Sequence, residues 1–184
     1  MHLKIFLLLA LTISLAGISY IENVNAANSH NFELQWGTAG ISKSGFFLSP
    51  QHLAIDLENN VYVTDLGYSR VQKFDSNGNF LDEWGSRGSN SGEFGHPTGI
   101  AVSNEFVFVV DNKNHNVQKF TSDGEFISKW GGFGNDNGLF KSPRGIAISD
   151  DKFVYVVDSA NARIQKFTFD GESISHFGQS GQRG

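Results

Sequence analysis

Three aspartates, Asp65, Asp111 and Asp158, each close an apolar run, and they recur 46 and 47 residues apart. A carboxylate at a strand end suits general acid–base chemistry. An active site, however, needs its acid once, and these recur in every copy. At such a position a carboxylate accepts backbone N–H groups of the turn that begins there. Arg70 and Arg163, five residues on, are placed to pair with the first and the third. The three aspartates therefore read as structural.

His52 and His96 flank Pro50 and Pro97 in consecutive copies, which raises the question of a zinc site. Catalytic zinc takes three protein ligands, and the third copy offers Ser142 and Arg144 instead of a histidine. They read as solvated loop histidines. Asp75-Ser-Asn-Gly-Asn79 spaces oxygens like a calcium loop, but Phe80 stands where that loop needs glycine. Gly85, Gly88 and Gly92, and likewise Gly131, Gly134 and Gly138, precede no helix and no Gly-Lys-Ser/Thr, so they are not phosphate cradles. No Gly-x-Ser-x-Gly elbow occurs. No catalytic residue, cofactor site or metal site is expected.

The elements that must position these residues follow from a repeat. Trp36, Trp84, Trp130 and Phe177 recur at spacings of 48, 46 and 47; Pro50, Pro97 and Pro143 recur at 47 and 46. Arg70-Val-Gln-Lys-Phe74, Asn116-Val-Gln-Lys-Phe120 and Arg163-Ile-Gln-Lys-Phe167 nearly coincide. Each copy divides into four short strands. The first follows the proline (Leu53–Ile55, Ile100–Val102, Ile146–Ile148). The second is apolar without strict alternation (Val61–Thr64, Val107–Val110, Val154–Val157), as a strand covered on both faces would be. The third, Val71–Phe74 and its copies, alternates more and is read as an outer strand. Asn77-Gly78, Asp123-Gly124 and Asp170-Gly171 then predict two-residue hairpin turns. The fourth strand ends on the recurring aromatic. Four antiparallel strands per repeat of this length, with no helical pattern, is the arithmetic of a β-propeller blade. The glycine-rich stretches carry the chain from the outer strand of one blade to the inner strand of the next. The aromatics could serve as stacking platforms, but such platforms come with a basic groove, so they are assigned to packing between adjacent sheets.

At these residues the chain resembles the NHL-repeat family: Pro97-Thr-Gly-Ile-Ala-Val102, Pro143-Arg-Gly-Ile-Ala-Ile148, Val61-Tyr-Val-Thr-Asp65, Val154-Tyr-Val-Val-Asp158 and Asn161-Ala-Arg-Ile-Gln-Lys-Phe167. The resemblance implies an all-β, six-bladed propeller and a surface for protein or nucleic-acid partners. Relatives with enzymatic propellers carry metals in the central channel. The chain departs from the pattern at Gln51-His52, where the other copies have glycine, and at Asn116, where the others have arginine.

Composition sets the outer bounds. The 184 residues carry a net charge of −5 and no cysteine, so nucleic acid is disfavoured as a partner and no disulfide holds the fold. Lys4, the apolar run Ile5–Ile18 and Val24-Asn-Ala26 predict a signal peptide over residues 1–26, the alternative being an uncleaved membrane anchor. Residues 27–184 are then a propeller arc: a leading strand at 32–37 and blades at about 50–85, 97–131 and 143–178. Three blades fall short of the roughly 4–8 of a closed ring, so a piece of a longer propeller or a head-to-tail dimer completing a ring is expected. The expected function is a non-enzymatic, secreted scaffold presenting inter-blade loops to a protein or small ligand. The alternative is a metal-dependent lyase or hydrolase with a channel site.

Overall fold

The computed structural model describes residues 38–39, 44–178 and 181. All of these lie in one compact unit, Gly37–Gly184. The signal segment 1–26 and the leading strand at 32–37 lie outside the described residues. Short strands β1 (Thr38–Ala39) and β2 (Phe46–Phe47) pair in parallel. Three four-stranded antiparallel sheets follow. The first holds β3 (Pro50–Ile55), β4 (Val61–Asp65), β5 (Arg70–Phe74) and β6 (Phe80–Trp84). The second holds β7 (Pro97–Val102), β8 (Phe106–Asp111), β9 (Asn116–Thr121) and β10 (Phe126–Gly131). The third holds β11 (Pro143–Ile148), β12 (Phe153–Asp158), β13 (Arg163–Thr168) and β14 (Ser173–Phe177). Strand order within each sheet is chain order, which is the meander of a propeller blade. The first strands β3, β7 and β11 run side by side at the inner edge.

The core lies between blades, not within them. β8 shows why its sequence is apolar without alternation. Val107 and Val109 pack toward the first blade with Tyr62, Val71 and Phe94, while Phe108 and Val110 pack toward the third with Phe140, Val154 and Phe167. Trp84 and Trp130 join these two clusters, as packing residues and not as platforms. Trp84 meets Phe120 of the next blade at 5.9 Å between ring centroids, and Trp130 meets Phe167 at 5.9 Å. Pairs of this kind add about 0.5–1.5 kcal/mol beyond burial.

Two expectations need correction. The third strand is not an outer strand: β5 and β9 are buried along nearly their whole length, and the exposed edge belongs to the fourth strand. The polar residue that gave the third strand its alternation is a buried glutamine with a fixed task, described below. The hairpins are not two-residue turns either. Gly124 N–H donates to Thr121 O, and Thr121 N–H donates to Glu125 O, a type I turn followed by a glycine bulge. Only the glycine takes positive φ (+80° at Gly124), whereas a two-residue type I′ turn would need two such residues. A Cβ on Gly124 would also lie 2.6 Å from the Trp84 ring, so the hairpin of one blade is capped by the tryptophan of the blade before.

The departure at His52 has a counterpart across the strand pair. A Cβ on Gly99 would lie 2.2 Å from Arg144 O of the neighbouring inner strand, so glycine permits that close approach. At the first junction Thr64 takes over. Its hydroxyl donates to Thr98 O at 2.7 Å and accepts from His52 N–H at 3.1 Å.

Candidate functional site

The carboxylates of Asp65, Asp111 and Asp158 are completely buried. Each accepts backbone N–H groups from the inter-blade loop 15–17 residues earlier, in addition to donors from the turn and strand that follow. Ser49 N–H reaches Asp65 at 2.9 Å, and Lys141 N–H reaches Asp158 at 2.7 Å. Gly95 and His96 N–H reach Asp111 at 2.7 and 2.9 Å. The following turn contributes through Asn114, by backbone and side chain, and through the Asn161 amide. Arg163 Nε pairs with Asp158 at 2.8 Å and Arg70 Nε stands 3.7 Å from Asp65. Where those blades have arginine, the second has Asn116, and Asn114 carries the additional donors to Asp111.

A second row of anchors escaped the sequence reading. Gln72, Gln118 and Gln165, each the middle residue of the third-strand motif, are wholly buried. Each side-chain oxygen accepts the N–H of a loop glycine: Gly45 at 2.7 Å, Gly92 at 2.9 Å and Gly138 at 2.9 Å. Each amide donates to the next loop carbonyl, Phe46, Glu93 or Leu139, at 2.6–2.8 Å. The signal was present: glutamine recurs at one register position in every copy of the strand, between Val or Ile and Lys.

These anchors fix the inter-blade loops and leave some side chains projecting. Arg87 occupies one loop and Phe133 the equivalent place in the next, each bridged in parallel to the buried Phe94 or Phe140. Both are exposed, Phe133 to 69%. His115 lies 5.2 Å from the Phe133 ring, and the Lys141 ammonium lies 5.4 Å from its centroid. His52 is exposed and His96 half-buried. Among the described residues no group of three or more His, Cys, Asp or Glu side chains is placed to share a metal.

Titration shifts lie at the opposite end of the blades. Burial pushes the Tyr62 phenol up, reinforced by the Asp56 carboxylate that accepts its hydroxyl at 3.1 Å. Burial acts to raise Asp56, but hydrogen bonds from Asn60, Tyr62 and Glu58 outweigh it and hold the carboxyl below its ordinary range. Asp75 is lowered by the Asn79 amide first and by turn N–H groups after it.

The NHL-repeat model matches residues 94–120 and 140–167. No curated protein matches the chain. Among solved structures, a streptogramin B lyase is 19% identical over 70% of this chain and 40% of its own, with a TM-score of 0.56. Hydrazine synthase of Kuenenia stuttgartiensis is 18% identical, over 78% and 39%, at 0.59. A catalytically inactive virginiamycin B lyase from Staphylococcus aureus with quinupristin is 17% identical, over 79% and 45%, at 0.55. The chain thus spans about two-fifths of the length of the structures it matches, and at these identities the likeness is one of fold. The chain thus folds into β-propeller blades, and the second and third of them carry matches to the NHL repeat.

Proposed function

We propose that this protein is an exported, non-enzymatic scaffold whose inter-blade loops bind a protein or small-ligand partner. One observation carries the reading. The buried aspartate and glutamine rows hold the loops in one conformation, while the side chain presented at the equivalent exposed point changes from Arg87 to Phe133. Invariant anchoring with variable presentation is how rigid frameworks carry recognition on loops. An exposed aromatic beside a cation suits the anchor of a protein interface. The carboxylates that could have served chemistry are instead occupied by loop N–H groups and arginine.

The test is capture from the exported fraction with wild-type protein and with Phe133→Ala and Arg87→Ala. A partner retained by the wild type and lost from either variant, at unchanged melting temperature, is the expected result. Equal capture by all three overturns the loop assignment. The rival reading, a metal-dependent lyase or hydrolase, takes its support from the lyases among the fold neighbours. Elemental analysis of purified protein decides between them: stoichiometric zinc or calcium would put the enzyme first.

A further inference from the structure

We propose that a cleft at the inner-edge turns, opposite the inter-blade loops, binds an organic ammonium ion with an apolar body. The cleft measures about 450 Å³ and takes its lining from all three blades, a size that suits a small ligand. It has a structural cause. The turn after β3 places five residues between the paired Ile55 and Val61, and the turn after β11 places five between Ile148 and Val154. The turn after β7 places only four between Val102 and Val107. The middle turn, Ser103–Phe106, is thus one residue shorter than its neighbours, and the cleft opens over it.

The floor is apolar. Phe106 and Phe169 line it with ring centroids 6.3 Å apart, edge to face, and Leu57 projects beside them at 81% exposure. The walls carry the carboxylates of Asp56, Glu105 and Asp150 against the single ammonium of Lys152, a net negative lining. Asp56 is occupied: its oxygens already accept from Glu58, Asn60 and Tyr62. Glu105 and Asp150 have no ion-pair partner among the described residues. They come from two different blades and line the same cleft. An alkylammonium matches this arrangement, with its chain on the phenyl rings and its charge toward the two carboxylates; the Lys119 ammonium already lies 4.1 Å from the Phe106 centroid, so the rings serve the ligand as apolar surface. An anion of the same shape would meet the net negative charge, and a neutral analogue would gain only the floor. The site lies away from Arg87 and Phe133, so it stands or falls separately from the loop-binding reading.

The test titrates the full chain with n-hexylammonium, n-hexanol and n-hexanoate, followed by calorimetry or by NMR shifts of residues around Phe106. The expected order of affinity is ammonium, then alcohol, then carboxylate. Glu105→Gln and Asp150→Asn each weaken the ammonium by about 1.5–5-fold, the range of exposed ion pairs. Lys152→Ala tightens it, since the one cation in the lining is gone and Lys119, over the Phe106 ring, is paired with Asp170. A glycine inserted between Asn104 and Glu105 restores the five-residue turn and abolishes binding. Alcohol binding as tightly as ammonium, affinity unmoved by the charge variants, or no saturation by about 100 mM, weaker than any useful site, each overturns the proposal. The point variants alter exposed side chains, so they decide the matter whether or not the insertion folds.

Discussion

The contact between Trp84 and Gly124 gives a paired experiment. Gly92 and Gly124 both adopt φ +80°, but a Cβ on Gly92 meets nothing within 4 Å, whereas on Gly124 it meets Trp84 ring carbons at 2.6–2.9 Å. Gly92→Ala therefore measures left-handed backbone strain alone, about 1–2 kcal/mol. Gly124→Ala adds overpacking of a closed seam, about 1–3 kcal/mol more. At roughly 2–4 °C per kcal/mol for a chain of this size, Gly92→Ala lowers Tm by about 2–8 °C and Gly124→Ala by about 2–12 °C beyond that. Urea unfolding read by tryptophan fluorescence supplies the free energies. Trp84→Leu combined with Gly124→Ala should cost less than the sum of the two, because the clash needs both partners. Equal losses in the two alanine variants, or strict additivity in the double variant, would refute the claim that each tryptophan is seated on the next blade's hairpin.

Three further outcomes are expected. Asp158→Ala destabilises by about 1–3 kcal/mol per partner left unsatisfied and weakens partner binding only through the loosened loop that it anchors; unchanged Tm with lost binding would reverse its assigned role. The Tyr62 phenol is held above its ordinary value of 10.0, so the folded state favours the protonated form. Its contribution is complete below that value and is lost as pH rises above it, so Tyr62→Phe should flatten the alkaline limb of stability against pH, and an unchanged limb would contradict the assignment. N-terminal sequencing of the exported protein should begin at Ala27, whereas Met1 intact on a soluble cytoplasmic protein would sink the export reading.

The blades were legible because identity at fixed spacing survives in residues whose packing demands volume: the tryptophans, the prolines and the Val-Gln-Lys-Phe motif. The strand-end aspartates were legible as structural because they recur. What the sequence concealed was the direction of their bonds. A carboxylate's local turn is visible from its neighbours, but the loop that folds back onto Asp65 or Asp158 is 16–17 residues away. The glutamines misled for a related reason. A polar residue in a strand reads as solvent-facing until a backbone N–H and a carbonyl are found to meet it inside. The short turn after β7 was present in the spacing as a one-residue slip, yet only the three blades side by side turn that slip into a cleft.

The placement of the cores between blades makes cooperativity local. Each blade is stabilised through its neighbours, so free energy adds blade by blade along the chain. The second blade has an aromatic cluster on each side and β8 is almost wholly buried, whereas its counterpart β12 in the third blade is buried at alternate positions only. Amide exchange should therefore be slowest in β8 and β9 and fastest in the third blade, where local opening is cheapest. The two presenting loops inherit this difference. The one bearing Arg87 is tied to Asp111 and Gln118 of the second blade, and the one bearing Phe133 to Asp158 and Gln165 of the third. A partner that engages Phe133 must also quench the fluctuations of the blade beneath it. Its affinity thus carries an ordering cost that a partner engaging Arg87 alone escapes.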